Sequence, residues 1–295
     1  MKLLIYGSKG WIGQQFIQYL LTKSINYHTG KSRLDNTESL RFEIDNIRPT
    51  HIISFIGRTH GKIGEKEYST IDYLEQDGKL VENIRDNLFS PISLALICQE
   101  RYIHYTYLGT GCIFDYDAEH PYGKEINGFM EEDTPNFFGS SYSIVKGFTD
   151  RLMHQLERNT LNLRIRMPIT AENNPRNFIT KITNYQKICS IPNSMTVLPD
   201  FYPIILDLLT KKTLGTINLT NPGLISHNEI LDMYREEVDE NFTYTNFEIE
   251  EQNKILSSQR SNNYLCTNKL QIMYPQLKNI KESVLDIMKK YNKST

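Results

Sequence analysis

Tyr142 and Lys146 stand four residues apart in "GSSYSIVKGFTD", and residues at i and i+4 share a face if that segment is helical. A tyrosine with its ordinary pKa of about 10 is a poor acid at neutral pH. An adjacent ammonium favours the phenolate and brings the group into range for proton transfer, and the same lysine can hold a nicotinamide ribose. A second cluster lies in "HYTYLGTGCIFDYD", residues 104–117, where an apolar run ends in a hydroxyl, a glycine and a thiol: Thr110, Gly111 and Cys112. Alternation along a strand would turn Thr110 and Cys112 to one face. Taken alone, a cysteine at a strand end is equally a small buried hydrophobe. His227 in "SHNEIL" reads as part of a helix start.

These groups need elements to position them. "IYGSKGWIGQQF" spaces Gly7, Gly10 and Gly13 as GxxGxxG directly after an apolar run and before a helical pattern. That arrangement gives a tight turn, close backbone approach to a pyrophosphate and a helix N-terminus that attracts the anion. Dinucleotide binding is the expectation. At the end of the second run, "HTGKSR" offers Lys31 and Arg33 where an NAD-preferring site usually has an acid. Two cations there suit a 2′-phosphate, so NADPH is favoured, with NADH the alternative.

The runs "KLLIY", "INYHT", "HIISFIG", "YIHYTYLG" and "LNLRIRMPI" alternate with helical patterns over 11–23, 36–47, 80–100 and 141–157. Strands separated by helices imply parallel pairing through right-handed crossovers, hence an α/β doubly wound sheet. The rhythm loosens after Pro168. The expected division is a Rossmann domain over 1–167 and a smaller C-terminal substrate-binding lobe over 168–295, with part of about 195–222 returning to the first domain. The formal charge of −2 over 295 residues, with both signs interspersed, argues against a nucleic-acid face or a polybasic membrane patch. "MKLLIYGSKGWIG" lacks the apolar core and cleavage site of a signal peptide, and nothing later reaches membrane-spanning length. Four cysteines without a CxxC pair indicate neither a disulfide framework nor a metal site. A reducing cytoplasm is the expected location, in a host cell if the source is viral.

The glycine turn, the threonine after the fourth strand and YxxxK on the next helix resemble the extended short-chain dehydrogenase/reductases. That resemblance implies that Thr110 and Tyr142 bond the carbonyl oxygen being reduced, that Tyr142 donates the proton, and that Lys146 supports tyrosine and cofactor. Asn87 falls where the family has a helix asparagine beside the cofactor, though an ordinary polar helix residue reads the same. Dehydratases of this superfamily follow their threonine with Asp-Glu, whereas Gly111-Cys112 stands here, as in enzymes resembling GDP-fucose synthase, which epimerise a 4-keto sugar before reducing it. With "NPRNFITKITNYQKICSIPNSMT", "EEDTPNFFGSSYSIVK", "RIRMPIT", "NLTNPGLISHNEILDMYRE" and "QRSNNYL", the chain closely resembles the bifunctional UDP-4-keto-6-deoxyglucose 3,5-epimerase/4-reductases of UDP-L-rhamnose synthesis in plants and large DNA viruses.

The resemblance implies an epimerase acid–base pair of Cys112 and Lys181, and Arg176, Asn177 and Arg260 as ligands of sugar or diphosphate. Read without it, Lys181 is a solvated helix lysine and Arg260 a surface cation. The expected cofactor contacts are Gly7, Gly10, Trp11, Ile12, Gly13, Lys31, Arg33, Gly57, Tyr142, Lys146 and Met167. The expected partners are UDP-4-keto-6-deoxyglucose, an upstream UDP-glucose 4,6-dehydratase and a second copy of the chain as a homodimer. Two alternatives stand beside this reading: a monofunctional dTDP- or UDP-4-keto-rhamnose reductase, and a non-catalytic NADP-binding regulatory subunit. The segment over 57–79 departs from the plant pattern and is expected to line the cofactor or sugar pocket.

Overall fold

A six-stranded sheet forms the centre of the computed structural model, which describes residues 1–291, and its four inner strands are largely buried although three of them carry polar residues. The sheet strands are β1 (Leu3–Tyr6), β2 (Tyr27–Thr29), β3 (His51–Ser54), β6 (His104–Thr110), β7 (Thr160–Ile165) and β10 (Gly215–Asn218), in the spatial order β10-β7-β6-β3-β1-β2. Strands β2, β1, β3 and β6 pair in parallel. Every residue of β1, β3 and β7 is buried. The order reverses direction at β1, so the crevice at the carboxyl ends of β1 and β3 is the topological switch point where α/β folds bind ligands.

Two compact units divide the chain. The first comprises residues 1–110, 140–164 and 202–217 and holds the sheet with helices α1 (Trp11–Thr22), α2 (Thr37–Ile47), α3 (Lys79–Ile84), α4 (Ser90–Glu100) and α5 (Ser141–His154). The second comprises 111–139, 165–201 and the chain from 218 onward. It contains the short parallel pair β8 (Pro168–Ile169) and β9 (Thr196–Val197), and helices α6 (Phe178–Thr183), α8 (His227–Glu237), α9 (Ile249–Ile255), α10 (Asn268–Met273) and α11 (Ile280–Met288). Its core gathers Ile169, Ile182, Val197, Ile225, Leu231 and Val284. Helix α7 (Leu198–Thr210) begins in the second unit and continues into the first. Residues 111–139 thus group with the second unit and 202–217 with the first. His227 opens α8 behind a capping box formed by Ser226 and Glu229. Among the described residues no helix is long and apolar enough to cross a membrane.

The segment after β3 is more structured than its loop-like sequence suggests. It forms an antiparallel hairpin of β4 (Gly61–Ile63) and β5 (Lys66–Tyr68), then a 3₁₀ turn over Ile71–Glu75. The pattern over 80–100 is interrupted by a π turn, Arg85–Phe89, between α3 and α4, a feature that often marks functional sites.

Arg164 of β7 is fully buried, and its Nε and Nη2 donate to the two carboxylate oxygens of Asp150 on α5 at 3.0 and 2.7 Å. Asn162 donates to the same carboxylate at 2.7 Å. Burial pushes the Asp150 pKa up, but the bonds from His154, Arg164 and Asn162 outweigh it and hold it at about 2. Stability from this group is therefore present above its ordinary value of 3.8 and is lost as pH falls toward 2. Asp150→Asn leaves the guanidinium buried without its charge partner and should cost about 3–5 kcal/mol. Denaturant unfolding should show a lower midpoint with an unchanged slope, and a loss under about 1 kcal/mol would contradict this role for the pair.

Candidate active site

The backbone at the glycine turn is too closely approached to accept side chains. Gly7 has φ of +75°, and a Cβ there would stand 2.9 Å from the carbonyl carbon of Phe55; one at Gly13 would stand 2.3 Å from the Gly7 oxygen. Gly10 donates to the Gly7 oxygen at 3.0 Å and caps α1 without a side-chain hydrogen bond. The positive end of the helix, at Trp11 and Ile12, thus follows a cradle that a Cβ would fill. These residues fit the pyrophosphate of a dinucleotide.

Beyond β2, the Glu43 carboxylate accepts from the backbone N–H groups of Lys31 and Ser32 at 2.7 and 3.0 Å and from the Tyr6 hydroxyl at 2.9 Å. The acid at this strand end thereby shapes the loop. The exposed Arg33 pairs with Asp35 at 3.0 Å; Asp35 lies 3.6 Å from Arg85, which with Arg58 also holds Asp86. This ion-pair cluster holds three guanidinium groups, whose planar donors match a phosphate, in the same unit as the glycine turn. The contributions of Arg58 and Arg85 come from tertiary placement; the only sequence signal was an arginine directly after the third strand, in "FIGR". Asn87, in the π turn, takes up the backbone beside Gly57: its Oδ1 accepts from Arg58 N–H and its Nδ2 donates to Arg58 O, each at 2.8 Å. Its own carbonyl accepts from Thr149 Oγ1 at 2.6 Å.

Tyr142 and Lys146 lie on α5, as their spacing predicts, and both are buried. Lys146 Nζ bonds the Tyr107 hydroxyl and lies 4.6 Å from that ring's centroid. Burial holds the Tyr107 pKa well above the ordinary phenol value, so its hydroxyl stays neutral and accepts from the ammonium. Tyr107 had no motif to announce it. Thr110 is buried at the carboxyl end of β6 in the same unit. The start of α5 is tied to the departing segment: Ser141 N–H donates to Glu75 Oε1 at 2.8 Å, and Ser141 Oγ to the Leu74 carbonyl at 3.1 Å.

Cys112 is not on the strand. β6 ends at Thr110, and Gly111 and Cys112 lie in the bend and turn beyond it, so strand alternation does not set the direction of the thiol. Cys112 belongs to the second unit with Lys181, Arg176 and Arg260. Burial first, then the charges of Arg176 and Arg260, lower the Lys181 pKa to about 8, with Cys112 acting in the opposite sense. These four groups therefore act on one another electrostatically. Arg260 Nη1 donates to Ser258 O at 3.2 Å and to its Oγ at 2.5 Å.

Asn177 has a different place from that of a sugar ligand. It is fully buried as the cap of α6: its Oδ1 accepts from Thr170 and Ile179 N–H, and its Nδ2 donates to the carbonyls of Thr170 and Glu172, both at 2.8 Å. The amide is committed to holding the helix that carries Lys181. Met167, at φ +39°, packs against the apolar core of the second unit.

No family model matches the chain. It is similar to the bifunctional dTDP-4-dehydrorhamnose 3,5-epimerase/dTDP-4-dehydrorhamnose reductase of Arabidopsis thaliana, with 43% identity covering 99% of this chain and 94% of the plant protein. The crystal structure of the L780 UDP-rhamnose synthase from Acanthamoeba polyphaga mimivirus superposes with a TM-score of 0.93 and 52% identity, covering 98% of this chain and 99% of the viral one. A dTDP-4-dehydrorhamnose reductase from Bacillus anthracis in complex with NADP shares the fold at a TM-score of 0.79 and 18% identity, over 97% of this chain and 99% of that one. With similarity over nearly its whole length, this chain belongs to the family of UDP-rhamnose synthases and bifunctional 4-dehydrorhamnose 3,5-epimerase/reductases.

Proposed function

We propose that the chain is an NADPH-dependent enzyme that converts UDP-4-keto-6-deoxy-D-glucose to UDP-β-L-rhamnose in two stages. The ketone at C4 acidifies the protons on C5 and C3. Cys112, as thiolate, takes the proton from carbon; the electron pair moves onto O4 as an enolate; Lys181, as ammonium, returns a proton to the opposite face. Once the thiol has released its proton to solvent and the amine has taken one up, the same exchange at the second carbon inverts both centres. An ammonium whose pKa has fallen to about 8 is a better donor than an ordinary lysine and is still mainly protonated at neutral pH. Arg176 and Arg260 supply positive charge for the diphosphate.

NADPH, held at the glycine turn, supplies the hydride for C4. Tyr142 gives its proton to O4, Thr110 donates a hydrogen bond to the same oxygen, and Lys146 holds the tyrosine in its reactive form. Polarising O4 serves both stages, because that carbonyl acidifies the neighbouring protons and then accepts the hydride.

The observation that carries this reading is the coupling of Cys112 with Lys181, Arg176 and Arg260 in a chain that also has the Tyr142–Lys146 pair. A monofunctional reductase would leave the thiol and its cations without work. A regulatory subunit would have no use for a buried tyrosine and lysine one helical turn apart. The substrate must come from a 4,6-dehydration of the nucleotide glucose, and the four free thiols suit a reducing cytoplasm. A homodimer is supported by exposed apolar side chains on neighbouring helices, Val81 and Ile84 on α3, Leu96 on α4, and Phe148 and Leu152 on α5.

The two stages should separate by mutation. Tyr142→Phe should abolish NADPH oxidation yet still wash solvent deuterium into C3 and C5 of the 4-keto sugar, and Cys112→Ala should suppress that exchange by about 100-fold or more; the reverse pattern would refute the assignment. The kcat/KM of exchange should fall as pH rises through about 8, where Lys181 loses its proton. A rate that still climbs between pH 8 and 10 would exclude the lysine as donor.

A further inference from the structure

The motif "RIRMPIT" contains two fully buried arginines with contrasting partners. Arg164 has the Asp150 carboxylate. Arg166 makes its recorded hydrogen bonds to neutral groups alone. Its Nη1 donates to the Gly111 carbonyl at 3.0 Å and to Ser261 Oγ at 2.9 Å; its Nη2 donates to Asn193 Oδ1 at 2.7 Å and to the Ser261 carbonyl at 3.0 Å; its Nε donates to the Ser194 carbonyl at 3.3 Å. Burying a guanidinium among neutral acceptors is an expensive way to fill space, so where its hydrogen bonds converge is informative.

Three of the five reach the two segments that carry Cys112 and Arg260, and the other two tie these to Asn193 and Ser194. The Gly111 carbonyl belongs to the peptide that joins Gly111 to Cys112, and a peptide is planar, so holding its oxygen fixes the orientation of the bond from which Cys112 departs. A second donor, Asn263 Nδ2, reaches the same oxygen at 2.9 Å. Ser261, which receives two bonds from Arg166, directly follows Arg260, and its Oγ donates to the Phe114 carbonyl at 2.6 Å, two residues past the thiol. A Cβ at Gly111 would stand 2.6 Å from Leu265 Cδ1 and 3.1 Å from Arg166 Cγ. The bend is therefore packed directly against the stem of Arg166 as well as bonded by its guanidinium.

We propose that Arg166 is a positioning residue for the epimerisation stage: it clamps the peptide preceding Cys112 to the segment bearing Arg260 and so sets the thiol against Lys181. This rests on the function proposed above. All the groups lie in the second unit, whereas Tyr142 and Lys146 lie in the first and Thr110 is held in β6, so loosening the clamp should act on the epimerisation well before the reduction.

The test measures three quantities on the same preparations of wild type, Arg166→Met and Asn263→Ala. These are NADPH binding, deuterium exchange into UDP-4-keto-6-deoxyglucose without NADPH, and NADPH-dependent reduction of UDP-4-keto-L-rhamnose that is already epimerised. Arg166→Met should lower the kcat of exchange by about 100-fold, the scale of a reacting group misplaced by an ångström, with its KM, NADPH binding and the reduction little changed. Asn263→Ala, which removes one of the two donors, should lower exchange by about tenfold. A parallel fall of exchange and reduction in either variant would mean a merely structural role and overturn the proposal. So would full exchange in Asn263→Ala, which decides the matter alone if Arg166→Met does not fold. A wild type that reduces the epimerised sugar but exchanges no deuterium would instead sink the bifunctional reading on which the proposal rests.

Discussion

A sheet buried on both faces has no lateral surface on which to bind a ligand, and this constraint organises the molecule. Chemistry is pushed to the ends of the strands, and in a parallel sheet the carboxyl ends lie together. The glycine turn follows β1, Arg58 follows β3 by a short loop, Thr110 ends β6, and Arg166 and Met167 follow β7. Each strand can do its part only because the next residue leaves the ladder. Gly7 leaves it with a positive φ that a side chain would strain, and Gly111 leaves it with a carbonyl caught by two side-chain donors.

Two chemistries impose different electrostatic demands, and the proposed mechanism meets them with separate sets of residues. Reduction needs a tyrosine that can release a proton, with an ammonium close by. Lys146 accordingly rests on the neutral phenol of Tyr107, which cannot neutralise it. Epimerisation needs a donor and an acceptor of similar proton affinity. Burial and two guanidinium groups bring Lys181 down toward the range of a thiol. In the proposed mechanism the cations that weaken the lysine's hold on its proton also serve the diphosphate, so one pair of arginines would supply both binding charge and proton-transfer poise.

How much of this was legible in the sequence follows from how local each signal is. The glycine turn, the helix bearing Tyr142 and Lys146, and the end of β6 at Thr110 depend on spacing within a dozen residues, and they are found where periodicity puts them. The cap at Asn177 has a local signal too, a polar residue directly before the apolar run "FITKI". Cys112 was assigned to a strand because alternation was extended past Gly111, the one residue there able to break it. Tyr107, Arg58 and Arg166 have no such local signal, because their partners lie tens of residues distant in the chain. The hairpin over 61–68 escaped notice since its two strands are three residues each, charged and half exposed.

The central claim is that one chain inverts two carbons and then reduces the ketone between them. It is tested most directly by NMR of the product formed from UDP-4-keto-6-deoxy-D-glucose and NADPH in deuterium oxide. The account predicts UDP-β-L-rhamnose carrying deuterium at both C3 and C5. A 6-deoxyhexose that keeps the original configuration and its protons at C3 and C5 would contradict it.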